Sequence, residues 1–331
     1  MRGYAAIVVV VALLAAVPLV VHSNVLLNFL VVTLMIALAG QGWNIIGGYG
    51  GQYSFGHAAF FGTGAYVTAI LQMRYGVNAW LGCAAGIAAG GVVGAIIGGL
   101  AFRAGLRTSY FALVTLAFAE VLRIVASVVP ITGAGVGILI KLDLRAQSFQ
   151  FQSRTAFYLV ILSLVAAALV IAQKLEHSRF GTWLVAVREN EDAALALGVD
   201  ATRVKLGAMV ISAAITAAAG CFYAQYFLFI DAPIAYGAWI SIEALLTPII
   251  GGVGTVFGAV VGALVVKSLG EGAKLMTGDV PGLDLMIYGA MLVLVVAFAP
   301  RGLVGAFADA RARLMRRLAS ARKSVVEVTR G

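Results

Sequence analysis

The chain is laid out as long apolar runs separated by short polar or glycine-rich joints. The runs fall near 4–22, 24–46, 54–73, 78–102, 109–130, 156–173, 206–230, 237–250, 252–270 and 283–300. A helix rises ~1.5 Å per residue and the hydrocarbon core of a bilayer is ~30 Å thick, so a run of ~20 apolar residues crosses it. The pattern predicts an all-α polytopic membrane protein with about ten membrane segments, including short or broken helices. The eighth run has 14 residues, too few to cross as a straight helix. It is expected to be a half-helix or a re-entrant segment that turns at Gly251-Gly252. The third run follows a glycine-rich break at 47–51 and is expected to start within the membrane. Irregular backbone at that depth survives only when buried in protein or lining a cavity.

Composition agrees with the pattern: 62 % of the residues are hydrophobic and 11 % charged, against ~25 % charged in a soluble domain. The net charge of +9 then reads as topology and contact with lipid headgroups, with no nucleic-acid partner. Alternating ten passes from a cytoplasmic N-terminus places Arg2, Arg103, Arg107, the basic residues of 174–205 and those of 301–331 on one side. By the positive-inside rule both termini are expected to be cytoplasmic. The organisation is a transmembrane domain over 1–300, a charged segment at 174–205 within it, and a basic cytoplasmic tail over 301–331. Met1–His22 begins like a signal sequence but lacks a small-x-small cleavage site, so it is expected to stay as a first span, a cleaved signal being the alternative.

Charge is concentrated. Segment 174–205 holds Lys174, Arg179, Arg188, Arg203 and Lys205 against Glu176, Glu189, Glu191, Asp192 and Asp200. Thr182–Leu197 has helical composition, and Gly198 suits the position just past a helix end. At ~100° per residue, Trp183, Ala186, Val187, Asn190, Ala193, Ala194 and Leu197 share one shallow apolar face, with Arg188, Glu189 and Asp192 opposite. A helix lying on lipid favours large apolar residues and a basic polar face. This one is acidic and alanine-rich, which favours a protein partner.

Within the spans, Gly82, Gly86, Gly90, Gly94 and Gly98 recur every four residues, which places them along one helix stripe, a packing seam or a sliding surface. Glu120 and Arg123 share a helix face, either a structural pair near the outer end of the span or a functional site. Glu243 could face a cavity, and Lys267 is expected to snorkel. His57, near Gln52 and Ser54, reads as a hydrogen-bonded packing residue before it reads as a proton relay. Cys83 and Cys221 fall in apolar runs and need no redox role. The loop at 131–155 is a cap, a partner site or a connector. No phosphate-binding loop, H-E-x-x-H, G-x-S-x-G or paired carboxylates occur in the sequence, so no catalytic or metal residues are expected.

Four ordered stretches carry a resemblance. GGYGGQYSFGHAAFFGTGAY (47–66), SRFGTWLVAVRENEDAALALGVD (178–200), SIEALLTPIIGGVGTVFGAVVGA (241–263) and, more loosely, LRTSYFALVTLAFAEVLRIV (106–125) resemble branched-chain amino acid ABC-transporter permeases of the LivM type. In the second, Gly181, Ala186, Arg188, Asn190, Ala193, Ala194 and Gly198 occupy that family's cytoplasmic coupling pattern. In the third, Thr247-Pro248 sits where the family usually runs apolar. The resemblance implies a permease subunit of an importer in the bacterial cytoplasmic (inner) membrane. Its partners would be a related second permease, two cytoplasmic ATPases that bind the ATP and Mg, and a periplasmic substrate-binding protein. This chain itself would bind no cofactor. The ATPases would dock on the 182–197 face, and the translocation path would draw on Gln52, Ser54, His57 and Glu243, with half-helix ends and uncharged polar groups holding a zwitterion. A urea or short-amide permease would share all four motifs; an ion-coupled secondary carrier would need no ATPase.

Overall fold

The structure, a computed structural model, describes residues 2–21, 23–106 and 108–277, with residues 282, 286–287, 289–290, 293 and 302–305 beyond them. The expected tenth run at 283–300 and the basic tail at 301–331 fall almost wholly outside the described residues.

The described chain is helical nearly throughout. The long helices are α1 (Arg2–Val20), α2 (Asn24–Trp43), α3 (His57–Tyr75), α4 (Ala79–Arg103), α5 (Thr108–Val128) and α6 (Arg154–Glu176). Two short helices follow, α7 (Arg179–Glu189) and α8 (Glu191–Ala196), before the long α9 (Ala201–Phe227). The helices α10 (Ala232–Ala235), α11 (Ala238–Gly251) and α12 (Gly258–Thr277) complete the order. Among the described residues, seven segments are long and apolar enough to cross a membrane: Gly3–Val20, Asn24–Tyr49, Ala79–Arg103, Ser109–Val128, Arg154–Glu176, Ala201–Phe227 and Ala232–Gly251. The third predicted run opens on irregular backbone: residues 51–56 form neither helix nor strand, and α3 begins at His57.

The centre is α9, packed against α2, α3 and α4. Small residues let the backbones touch. Gly220 of α9 lies on the carbonyl of Phe61, and Gly64 of α3 lies on the carbonyl of Ala217, so a Cβ at either position has no room. The α4 glycines face the same neighbours. Gly82 and Gly86 sit against Thr68 of α3, Gly86 also against Cys221, and Gly90, Gly94 and Gly98 sit against Ala217, Ala213 and Met209 of α9. Helix α1 lies outside this core, leaning on α6, where the Tyr158 hydroxyl donates to the carbonyl of Leu14 at 2.8 Å.

The short eighth run forms α11, with 14 residues. Pro248 lies inside it, and Thr247 is fully buried with its side chain against Gly40 of α2. The helix stops at Gly252, whose φ of +141° no side-chain-bearing residue adopts readily. The chain then returns as α12, with Gly251 on Gly258 and Gly262 on the carbonyl of Thr247. The predicted turn is therefore present, as a close helical hairpin.

The loop at 131–155 is folded against the helix ends. Strand β1 (Ile138–Leu139) pairs antiparallel with β2 (Phe229–Ile230) after α9. Phe149 stacks on Trp80 at 4.1 Å, and the Trp80 indole N–H donates to Ala146 at 2.8 Å. Arg145 and Ser148 bind the Asp143 carboxylate and hold it down at about 2. The segment packs as a cap that ties α4 to α9.

Candidate functional site

The segment after α6 is built by local signals. Ser178 caps α7, its hydroxyl accepting from the Gly181 N–H at 3.0 Å. Gly181 rests on the carbonyl of Leu175, which fixes the angle between α6 and α7. The predicted single helix over 182–197 is broken. Asn190 is extended, with φ −157° and ψ 103°, and its side chain caps α8 by accepting from the Ala193 N–H at 3.0 Å. The end is as expected: Gly198 has φ +85°, its N–H donates to Leu195, and the Val199 N–H donates to Ala194 at 3.0 Å.

The break changes which residues face out. Val187 and Ala194, placed on the docking face by a continuous wheel, turn inward and pack with Ala201 in a small apolar cluster. Gly181 is buried and Ala186 half-buried. Asn190, Ala193 and Gly198 are exposed. Three large apolar side chains stand out: Trp183 at 46 %, Leu195 at 50 % and Leu197 at 85 % exposure. Leu195 was missed by the wheel. The signal for it was present: an Asn followed by Glu191 and Asp192 is a helix-start signature, and it resets the phase.

Arg188 is exposed on the solvated side, as expected, and its guanidinium also reaches back to the carbonyl of Gly48 at 2.9 Å, while Glu189 holds its other edge at 2.6 Å. Gly48 lies in a π-helical turn, Asn44–Tyr49, that continues α2. Its carbonyl is among the last of that helix, which have no partner within it. Asn44 in the same turn donates to Thr255 at 2.9 Å and accepts from the Gly254 N–H at 2.8 Å. Three stretches far apart in sequence, 44–51, 252–257 and 179–189, thus meet at one place. Lys205 adds a second tie: it is buried, paired with Glu191 at 2.7 Å, and lies over the Phe102 ring.

The four expected path residues form two groups. Ser54 and His57 are fully buried near the end of α2. The Ser212 hydroxyl donates to Gly42 at 2.6 Å, so it accepts from His57 Nε2–H at 3.0 Å, and Ser54 serves Nδ1 at 3.2 Å. That arrangement is complete with a neutral imidazole. Gln52 is buried beside them. Glu243 stands elsewhere, on α11. It accepts from Lys267 of α12 at 2.7 Å, and both line a cavity of about 690 Å³ with Asn28, Phe29, Val32 and Trp239. From Asn28 to Gly42 along α2 is on the order of 20 Å. Lys267 does not snorkel; its side chain turns inward to the carboxylate, 17 % exposed. Among the described residues no three His, Cys, Asp or Glu side chains come together as a metal site requires.

Closely packed apolar helices, a helical hairpin and a surface helix pair hooked onto two glycine-rich turns define a multi-pass membrane protein. The chain matches the family described as branched-chain amino acid transport system / permease component over residues 25–296, and it belongs to that family. It is similar to the high-affinity branched-chain amino acid transport system permease protein LivM of Salmonella typhimurium, 28 % identical over 82 % of this chain and 68 % of the relative. LivM of Escherichia coli is 27 % identical over the same shares. The LivH permease protein of Escherichia coli is 24 % identical over 81 % of this chain and 91 % of the relative. No solved structure matches the chain.

Proposed function

We propose that this chain is the membrane-spanning permease subunit of an ATP-driven importer of branched-chain or other apolar amino acids in a bacterial cytoplasmic membrane. Two cytoplasmic ATPases bind ATP and Mg and dock on α7–α8. A second, related permease completes the path, and a periplasmic binding protein delivers the substrate. Both termini and segment 174–205 face the cytoplasm, and about ten segments enter the membrane. The observation that carries this reading is the convergence of the three motif stretches at Arg188, Gly48 and Asn44. In this reading the surface helix pair, hooked to the ends of α2 and α11, turns a push from outside the membrane into motion of the helices.

The docking patch is the exposed set: Trp183, Asn190, Ala193, Leu195 and Leu197. Apolar side chains that stand in water call for cover by protein. That two kinds of permease, LivM and LivH, both align with most of this chain supports pairing with a relative.

The test is uptake in vesicles holding the purified complex, with and without ATP, against leucine, isoleucine, valine, urea and an acidic amino acid. ATP-dependent accumulation of the branched-chain amino acids is expected. Uptake of urea in their place, or transport by this chain alone on a proton gradient, overturns the reading.

A further inference from the structure

Resting on that transport function, we propose that the Glu120–Arg123 pair on the outward face of α5 is a docking point for the zwitterionic head of an amino acid on the translocation path. Helix α5 turns Phe111, Thr115, Ala119 and Ala126 inward, and it turns Leu113, Leu116, Glu120, Val121 and Ile124 outward. Glu120 lies ~18 Å along the helix from Thr108 and ~12 Å from Val128, within the thickness of the hydrocarbon. Arg123 donates Nε–H to Glu120 Oε2 at 2.9 Å and its Nη2 to Oε1 at 2.5 Å. The side chains remain 34 % and 52 % exposed for Arg123 and Glu120.

Charged side chains at this depth face protein or water and avoid lipid. A dry contact with another subunit would strand the rest of the pair. The guanidinium uses only Nε and Nη2 on the carboxylate, so the Nη1 edge and the outer lone pairs of Glu120 have no use in a closed apolar interface. An amino-acid head carries one carboxylate and one ammonium. It can enter this pair by exchange, its carboxylate on the Arg123 fork and its ammonium on Glu120. Two ion pairs replace one pair and a solvated head, and no net charge is added. Leu116, Val121 and Ile124 on the same face then supply an aliphatic wall for a branched side chain. An uncharged solute such as urea has no use for the pair, so the site selects for zwitterions with apolar side chains.

The experiment uses the complete transporter in vesicles, with radiolabelled leucine as probe. Glu120→Gln/Arg123→Gln removes both charges together and strands neither. The expected result is normal co-purification with the partner subunits and leucine uptake reduced about tenfold or more. In a second variant, Leu116→Cys, the introduced thiol is expected to react with a membrane-impermeant maleimide and to be slowed by excess leucine. Cys83 and Cys221 are buried and give the background. Unchanged uptake by the double variant overturns the proposal. So does loss of subunit assembly, which makes the pair a contact between chains, and so does an introduced thiol that only a lipid-soluble reagent can reach. Wild-type uptake is measured alongside. If wild type does not carry leucine, the transport reading falls and this one with it; if wild type and the double variant both carry it, only this inference falls.

Discussion

Ser212 shows how one hydroxyl holds three elements. It donates to Gly42 of α2 and accepts from His57 of α3, while itself standing on α9. Ser212→Ala leaves a buried imidazole N–H short of a partner. An unsatisfied buried group costs about 1–3 kcal/mol, so the variant is expected to lose at least that much stability. Thermal unfolding of the detergent-purified complex reads it; an unshifted midpoint means that His57 has another acceptor. The sequence made a hydrogen-bonded packing His57 legible, because a lone histidine among Gly, Ala and Phe has no titrating neighbour. Its partner was not legible. Ser212 is 155 residues away, and a single serine in an apolar helix carries no local signal of what it meets. Arg188 is the converse case. Amphipathic reasoning sends an arginine beside Glu189 to solvent, where Arg188 is exposed, but its bond to the helix-end carbonyl of Gly48, far off in sequence, carries no local signal.

At the level of elements, periodicity was a good guide inside the membrane and a poor one outside it. The glycines of α4 keep one spacing over four steps because nothing interrupts a membrane helix, and the structure sets them against α3 at the start and α9 further on. Gly90→Leu is expected to prevent stable folding, since even its Cβ presses into Ala217. Gly99→Ala, with nothing near it, is expected to change stability by under about 1 kcal/mol. Expression and melting of the two variants compare them directly. In α7–α8 the same reasoning failed at Asn190, where a cap replaced a helical turn. The corrected faces give a sharper test. Val187→Asp and Ala194→Asp put a charge into the cluster with Ala201 and are expected to destabilise the fold by several kcal/mol. Leu195→Asp and Leu197→Asp change only the exposed side. They are expected to leave melting unchanged and to cut co-purification of the ATPases. If these two variants pull down the ATPases as wild type does, the docking patch lies elsewhere.

Across the whole molecule the question is how a push on α7–α8 reaches the membrane helices. In the proposed mechanism docking and transmission fall to different residues. The proposed docking patch is apolar and exposed; the proposed link inward is Arg188, whose Nη1 binds Gly48 and whose aliphatic stem covers Gly51. From Gly48 the turn continues through Asn44 to Gly254 and Thr255, at the hinge between α11 and α12. Removing the arginine therefore separates two effects that removal of the patch confounds. Arg188→Ala is expected to keep the ATPases bound and hydrolysing ATP, and to lower uptake about tenfold or more. Gly51→Ala attacks the same link from the other side, because Gly51 has φ +65° and its Cβ would meet Cγ of Arg188 at 2.5 Å. It is expected to give the same uncoupled state. The ratio of substrate moved to ATP hydrolysed measures both. A ratio equal to wild type in Arg188→Ala means that force passes through the α8–α9 side, by Glu191 and Lys205, and that the arginine serves only to hold the turn.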